Sequence, residues 1–155
     1  MISLSFKDWL DIADHYAKTA SGCTKVSVGS VIVKDKKLVS IGANRTFPDL
    51  CKVRGCLRVE KYGNNDKTHR GPSDCRALHS EIDAICNAPV SLTGATIFVT
   101  RYPCEACARA IASAGIKEVV YGRSQKISEE AEAIFERYGI DVVWVKEWDA
   151  PDAYN

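Results

Sequence analysis

The chain has 155 residues, with 21 Lys and Arg against 20 Asp and Glu, so its formal net charge is +1. That balance makes no electrostatic demand for nucleic acid or an anionic membrane, and no apolar run approaches the ~20 residues of a membrane span. A chain of this length forms one domain, 1–155, whose core needs no covalent staples. The first eight residues lack the basic start and apolar stretch of a secretion signal, which predicts a cytoplasmic protein. Seven cysteines in that setting read as metal ligands and core thiols rather than disulfides.

In chain order, Phe6, Trp9, Leu10, Ala13, Tyr16, Ala17 and Ala20 recur at three- and four-residue intervals, one apolar helical face. Ser5 with Asp8 is an N-cap pair, and Gly22 a stop. Val26, Val28, Val31, Ile32 and Val33 predict a strand, 34–37 a turn, and Leu38, Val39 and Ile41 its return, a hairpin with a wet lysine tip. Residues 44–76 are polar, carry no sustained period and read as a long loop, which a compact domain tolerates when the loop is functional or clamped. Leu78, Ile82 and Ile85 then share a helix face, 96–100 is a strand, and Pro103 opens a helix with Cys104, Cys107, Ala108 and Ile111 on one side. A strand over 117–121, a helix over 129–138 and a strand over 140–145 complete the order, with Gly115 and Gly139 where helices should stop. Alternation in the second half implies right-handed crossovers and parallel strands. The expected fold is α/β, a three-layer α/β/α sandwich around a five-stranded mixed sheet.

The chemistry lies in His79-Ser80-Glu81 and Pro103-Cys104-Glu105-Ala106-Cys107. One imidazole and two thiolates are three zinc ligands, which leaves the fourth corner of a tetrahedron for water. Glu81, two residues past the histidine, stands beside such a metal rather than on it, where it can move protons. Cysteines three apart at a helix start share a face, and the positive helix end lowers their pKa. A closed structural zinc site is the alternative, but such sites use four protein ligands and have no use for an adjacent carboxylate.

H-x-E followed by P-C-x-x-C is also the pattern of the zinc nucleobase deaminases, and here the chain resembles the cytidine deaminase superfamily from the first hairpin to about Val145. More narrowly it resembles bacterial and phage deoxycytidylate (dCMP) deaminases. Those residues are Cys23 six positions before Gly29, the Cys51 and Cys56 pair, and Cys75-Arg76-Ala77-Leu78-His79 ahead of the catalytic helix. The resemblance implies hydrolytic deamination of dCMP to dUMP, Glu81 as the proton carrier, and a homo-oligomer, from dimer to hexamer. It makes Asn44 a sugar contact and Ser80, where alanine is usual, a backbone contact to the base. Arg45 stands where the family has a glycine associated with nucleotide effectors, which leaves regulation by dCTP and dTTP open. An Asn-Arg pair here is also similar to the tRNA adenosine deaminases.

Cys23, Cys51, Cys56 and Cys75 come from segments without periodicity, and a second, structural zinc on them would order the long loop. His69 competes with Cys56 for the last place, and four reduced thiols without metal are the plain alternative. Arg45, Lys52, Arg54, Arg58, Arg101 and Arg123 are candidates for a phosphate, which suits a guanidinium fork; Arg45 is the first choice. His15 reads as a solvated surface residue and Cys86 as core. Trp144, Trp148, Tyr154 and the acidic tail read as a subunit contact. The substrate expected is a small nucleotide, with nucleic acid disfavoured by the charge. Deamination of tRNA adenosine or of a free or modified cytosine nucleoside remains an alternative, as does a non-catalytic zinc-binding interaction module, against which Glu81 argues.

Overall fold

A computed structural model describes residues 3–47, 50–63, 75–124 and 127–148. The first helix, α1 (Phe6–Ala20), starts as its sequence requires: Ser5 Oγ accepts from the Asp8 amide at 3.2 Å while the Asp8 carboxylate accepts from the Ser5 amide at 2.7 Å. Its end differs from expectation, because Ser21 is the C-cap and Gly22 instead passes close under Thr46. Strands β1 (Gly29–Lys34) and β2 (Lys37–Ala43) form the expected hairpin. Asp35 and Lys36 both take positive φ, +51° and +62°, the two-residue turn whose twist matches the strands.

The stretch over 44–76 is not the featureless loop expected. Two short helices, α2 (Leu50–Arg54) and α3 (Leu57–Tyr62), lie in it on either side of Gly55 and Cys56. At five and six residues neither is long enough to show a 3.6-residue period. His69 falls outside the described residues.

The remaining elements match the predicted order: α4 (Ser80–Cys86), β3 (Thr96–Arg101), α5 (Glu105–Ser113), β4 (Glu118–Arg123), α6 (Glu129–Arg137) and β5 (Asp141–Trp144). The strands form one five-stranded mixed sheet, ordered β2-β1-β3-β4-β5. β1 is antiparallel to β2 and β3, while β3, β4 and β5 run parallel through the α5 and α6 crossovers. Alternation along the strands builds two cores. Trp9, Leu10 and Ala13 of α1 cover Val31, Phe98 and Val120 on one face. Ala84 of α4, Ile111 of α5 and Phe135 of α6 cover Ile32, Ile97, Val99 and Val119 on the other.

Two residues fall elsewhere than expected. Cys86 is exposed, because the short α4 turns Ser80, Glu81, Asp83 and Ala84 inward and leaves its last residue at the rim. Trp148 fills the α1 face of its own core, with Nε1 donating to Asp11 at 2.8 Å, so it is not a surface ring awaiting a partner; Trp144 does stay partly exposed. Tyr154 and the acidic tail lie outside the described residues. Among the described residues no helix is long and apolar enough to cross a membrane.

Candidate active site

The site is positioned by how closely α4 lies on β2. A Cβ on Gly42 would come within 2.2 Å of the Ser80 carbonyl oxygen and 2.4 Å of the Ala84 nitrogen, so only a hydrogen fits between helix and strand. Ser40 Oγ donates to the Ala84 carbonyl at 2.6 Å. Buried Asp83 completes the seat: it accepts from the Ala43 amide at 3.1 Å, from Arg45 Nη2 at 2.6 Å and from Asn87 Nδ2 at 3.1 Å. Arg45 and Leu78 also exchange backbone hydrogen bonds, which ties the chain leaving β2 to the residue before His79.

His79 is the N-cap of α4 and Cys104 the N-cap of α5, with Pro103 one residue earlier and Cys107 inside the first turn. His79 Nδ1 is 3.4 Å from both Cys104 Sγ and Cys107 Sγ, and the three ligand atoms all lie within 4.8 Å of one another. Tetrahedral zinc with bonds of about 2.0–2.1 Å to nitrogen and 2.3 Å to sulfur separates such atoms by about 3.5 Å. The donor set and its spacing therefore fit zinc, and a borderline-soft ion is what two thiolates and an imidazole select.

In the bare protein these groups share their protons. The hydrogen bond from Cys107 pulls Cys104 down to about 4, with His79 adding to the effect, and Cys107 is the partner that keeps its proton. The same contact with Cys104 holds His79 above its ordinary value against the opposing effect of burial. Glu81 is 4% exposed, and burial raises its carboxyl above the usual range while the neighbouring His79 pulls the other way. Its Oε2 accepts from Ser80 Oγ at 3.2 Å. A protonatable carboxyl is thus held out of water beside a three-ligand metal set, the arrangement a proton shuttle requires.

Asn44 is buried, and most of its amide is spoken for. Oδ1 accepts from the Val28 amide at 2.8 Å and from Ser21 Oγ at 2.7 Å, while Nδ2 donates to the Val26 carbonyl at 2.9 Å. It therefore latches the segment between α1 and β1 and keeps one N–H for any ligand. Arg45, the first choice for a phosphate, is committed to Asp83 and lies 5.1 Å over the Phe47 ring. Asp83 is the residue sequence reasoning missed; as an acidic residue on a short helix it gave no local signal, and the partners that tie it to β2 and Arg45 lie 40 and 38 positions away.

Of the cysteines expected to hold a second zinc, Cys51 is buried, which raises its thiol, with the charges of Cys23, Cys56 and Cys75 adding to the effect. Among the described residues, however, only His79, Cys104 and Cys107 close to ligand spacing. A cavity of about 490 Å³ opens at the far pole of the sheet, lined by Phe6, Trp9, Lys34, Thr96 and Lys117, away from this chemistry.

The sheet order and the helices on both faces match the cytidine deaminase-like fold, and the family model and curated relatives make the chain an enzyme of the deaminase kind. The chain belongs to the MafB19-like deaminase family, whose family model matches residues 5–151. It is 31% identical to ComE operon protein 2 of Bacillus subtilis over 151 residues, which cover 94% of this chain and 74% of that protein. It is 35% identical to the deoxycytidylate deaminase of Mycobacterium phage D29 over 132 residues, 76% of this chain and 97% of the relative. The dCMP deaminase of cyanophage S-TIM5, solved in complex with dCMP and dUMP, shares the fold at a TM-score of 0.64 and 23% identity, over 88% of this chain and 93% of that one.

Proposed function

We propose that this chain is a zinc-dependent deaminase of a cytosine 5′-monophosphate, converting dCMP and water to dUMP and ammonia. The observation that carries the reading is the buried carboxyl of Glu81 beside an open three-ligand set of His79, Cys104 and Cys107. Zinc on those residues supplies a Lewis acid that brings water to reactivity near neutral pH. Glu81 accepts the proton released as the C–O bond forms at the amine-bearing ring carbon, and delivers it to the ring nitrogen. It then takes up the second water proton, left on the hydroxyl at that ring carbon, and passes it to the exocyclic amine, which departs as ammonia as the C–N bond breaks and the carbonyl forms. Burial suits it to that task, because a raised carboxyl pKa makes both proton uptake and release accessible.

The remaining N–H of Asn44 is available to a sugar hydroxyl. Arg45, whose Nη2 is bonded to Asp83, and Arg58 of α3 are both candidates for the phosphate. A second, structural zinc on Cys23, Cys51, Cys56 and Cys75 belongs to the same reading. Cys23 Sγ accepts from the Lys25 and Val26 amides at 3.4 and 3.5 Å, and Cys75 Sγ from the Ala77 amide at 3.4 Å, which fixes both sulfurs to their own turns. Oligomerisation, from dimer to hexamer, is supported by Val142 and Trp144 exposed on the edge strand β5. A cytoplasmic setting suits seven cysteines kept free.

Ammonia release from dCMP, CMP, deoxycytidine, AMP and an adenosine-containing tRNA tests the reading. A guanidinium–phosphate bond of roughly 1.5–3 kcal/mol predicts about ten- to a hundredfold preference for dCMP over deoxycytidine. Equal turnover of deoxycytidine, or faster turnover of the RNA, overturns the substrate.

A further inference from the structure

We propose that Ser30 and Ser80 are positioning residues that hold the Glu81 carboxyl in one orientation through a buried chain of two hydroxyls. The role rests on the deaminase reading above, although the hydrogen-bond chain itself can be measured without it. Ser30 and Ser80 are both 0% exposed and their Oγ atoms are 2.7 Å apart. Ser80 Oγ is in turn 3.2 Å from Glu81 Oε2, to which it donates. A hydroxyl has one proton. With Ser80's committed to Glu81, the proton between the two serines comes from Ser30, so the chain runs from β1 to the carboxyl in a single direction.

Ser30 lies on the side of β1 shared with Ile32, facing α4, and its strand neighbours Val31, Ile32 and Val33 are apolar. A hydroxyl there is costly unless it is hydrogen-bonded, and among the described residues its partner lies toward the site: Ser30 Oγ is bonded to the Ser80 hydroxyl. A glutamate side chain has three rotatable bonds. Fixing one carboxyl oxygen selects one rotamer and directs the other oxygen at the reaction, which is how a supporting residue contributes without touching substrate.

The experiment compares wild type with Ser80→Ala, Ser30→Ala and the double variant, each small enough to leave the packing intact. The first readout is the infrared carboxyl band of Glu81, isolated by isotope-edited difference against Glu81→Gln. We expect Ser80→Ala to shift and broaden it, and Ser30→Ala to shift it less. The second is steady-state kinetics with metal content recorded: kcat should fall about tenfold or more in Ser80→Ala, with KM and bound zinc unchanged. The double variant should be no worse than Ser80→Ala alone, because Ser30 acts only through Ser80. An unmoved Glu81 band in Ser80→Ala overturns the proposal whatever the enzyme's activity. So does an unchanged kcat, or a loss confined to KM. Additive losses in the double variant remove Ser30 from the chain. Absence of any deaminase activity in wild type defeats the functional reading instead, and the infrared band then decides the orientation of Glu81 alone.

Discussion

The segment that carries His79, Cys104 and Cys107 and the segment that carries Cys51, Cys56 and Cys75 are both rich in metal-ligand side chains, yet they are held in opposite ways. The first is seated by the core: α4 lies against Gly42, is bonded through Ser40 and Asp83, and turns four of its seven residues inward. The second has almost no core. Cys51 is the one buried residue of α2, α3 has none, and Val53 is 77% exposed. The contrast teaches that one set of ligands is seated by the core itself, whereas the other has little of the core to hold it.

The comparison breaks if the core-held site tolerates loss of a ligand. Cys104→Ser should lose both bound zinc and turnover while the protein stays folded, since two protein ligands remain and no spare donor lies at ligand spacing among the described residues. Zinc analysis and circular dichroism on the same sample check this. Unchanged zinc would show that the ligand set is wrong.

Glu81→Gln separates chemistry from metal binding. Turnover should drop about 10²–10⁴-fold with zinc retained if, as proposed, the carboxyl moves protons and binds no metal. Stability of the metal-free protein should move the opposite way. Burial raises the Glu81 pKa in the folded state, so between the unfolded value and that raised value the folded chain holds the extra proton. Stability therefore falls as pH rises through this window. The glutamine variant should lose that dependence and melt higher than wild type above it, which thermal melts across pH will show. A catalytic carboxyl that costs stability is the usual trade at an active site.

The chemistry was legible in the sequence because it depends on residue identity at short spacing: a histidine and a carboxylate two apart, and two cysteines three apart after a proline. The layers were legible because α1 carries a clean helical period and the strands are short apolar runs between turn residues. The seating of the site was not. Asp83 matters through partners in β2 and beyond it, and Arg45, which looks like a phosphate ligand in isolation, is engaged by that same aspartate. The two short helices were invisible for lack of length, and Cys86 looked apolar enough for a core that α4 is too short to extend.

Gly42→Ala asks whether the seat matters as much as the ligands. The added methyl meets backbone at 2.2 and 2.4 Å, which no rotamer can relieve, so α4 must lift from β2. Overpacking of this kind costs about 1–3 kcal/mol, and the displaced His79 and Glu81 should lower turnover by about tenfold or more. A melt and a turnover rate equal to wild type would mean that α4 is not fixed by this contact.

The smallest global effect is expected at the other segment. Cys51→Ser removes a buried thiol from a region that contributes little to either core, so catalytic zinc and the main melting transition should change little. What should change is local: if a second zinc holds Cys23, Cys51, Cys56 and Cys75, total zinc falls from two per chain toward one. Proteolysis between α2 and α3 should also accelerate, because cleavage follows the local opening equilibrium. Adding a chelator mild enough to spare the catalytic zinc should produce the same cleavage in wild type and none beyond it in the variant. One zinc per chain in protein purified with reductant and without chelator, together with unaltered proteolysis of Cys51→Ser, would leave four reduced thiols and no second metal. The contrast between the segments would then be one of packing alone.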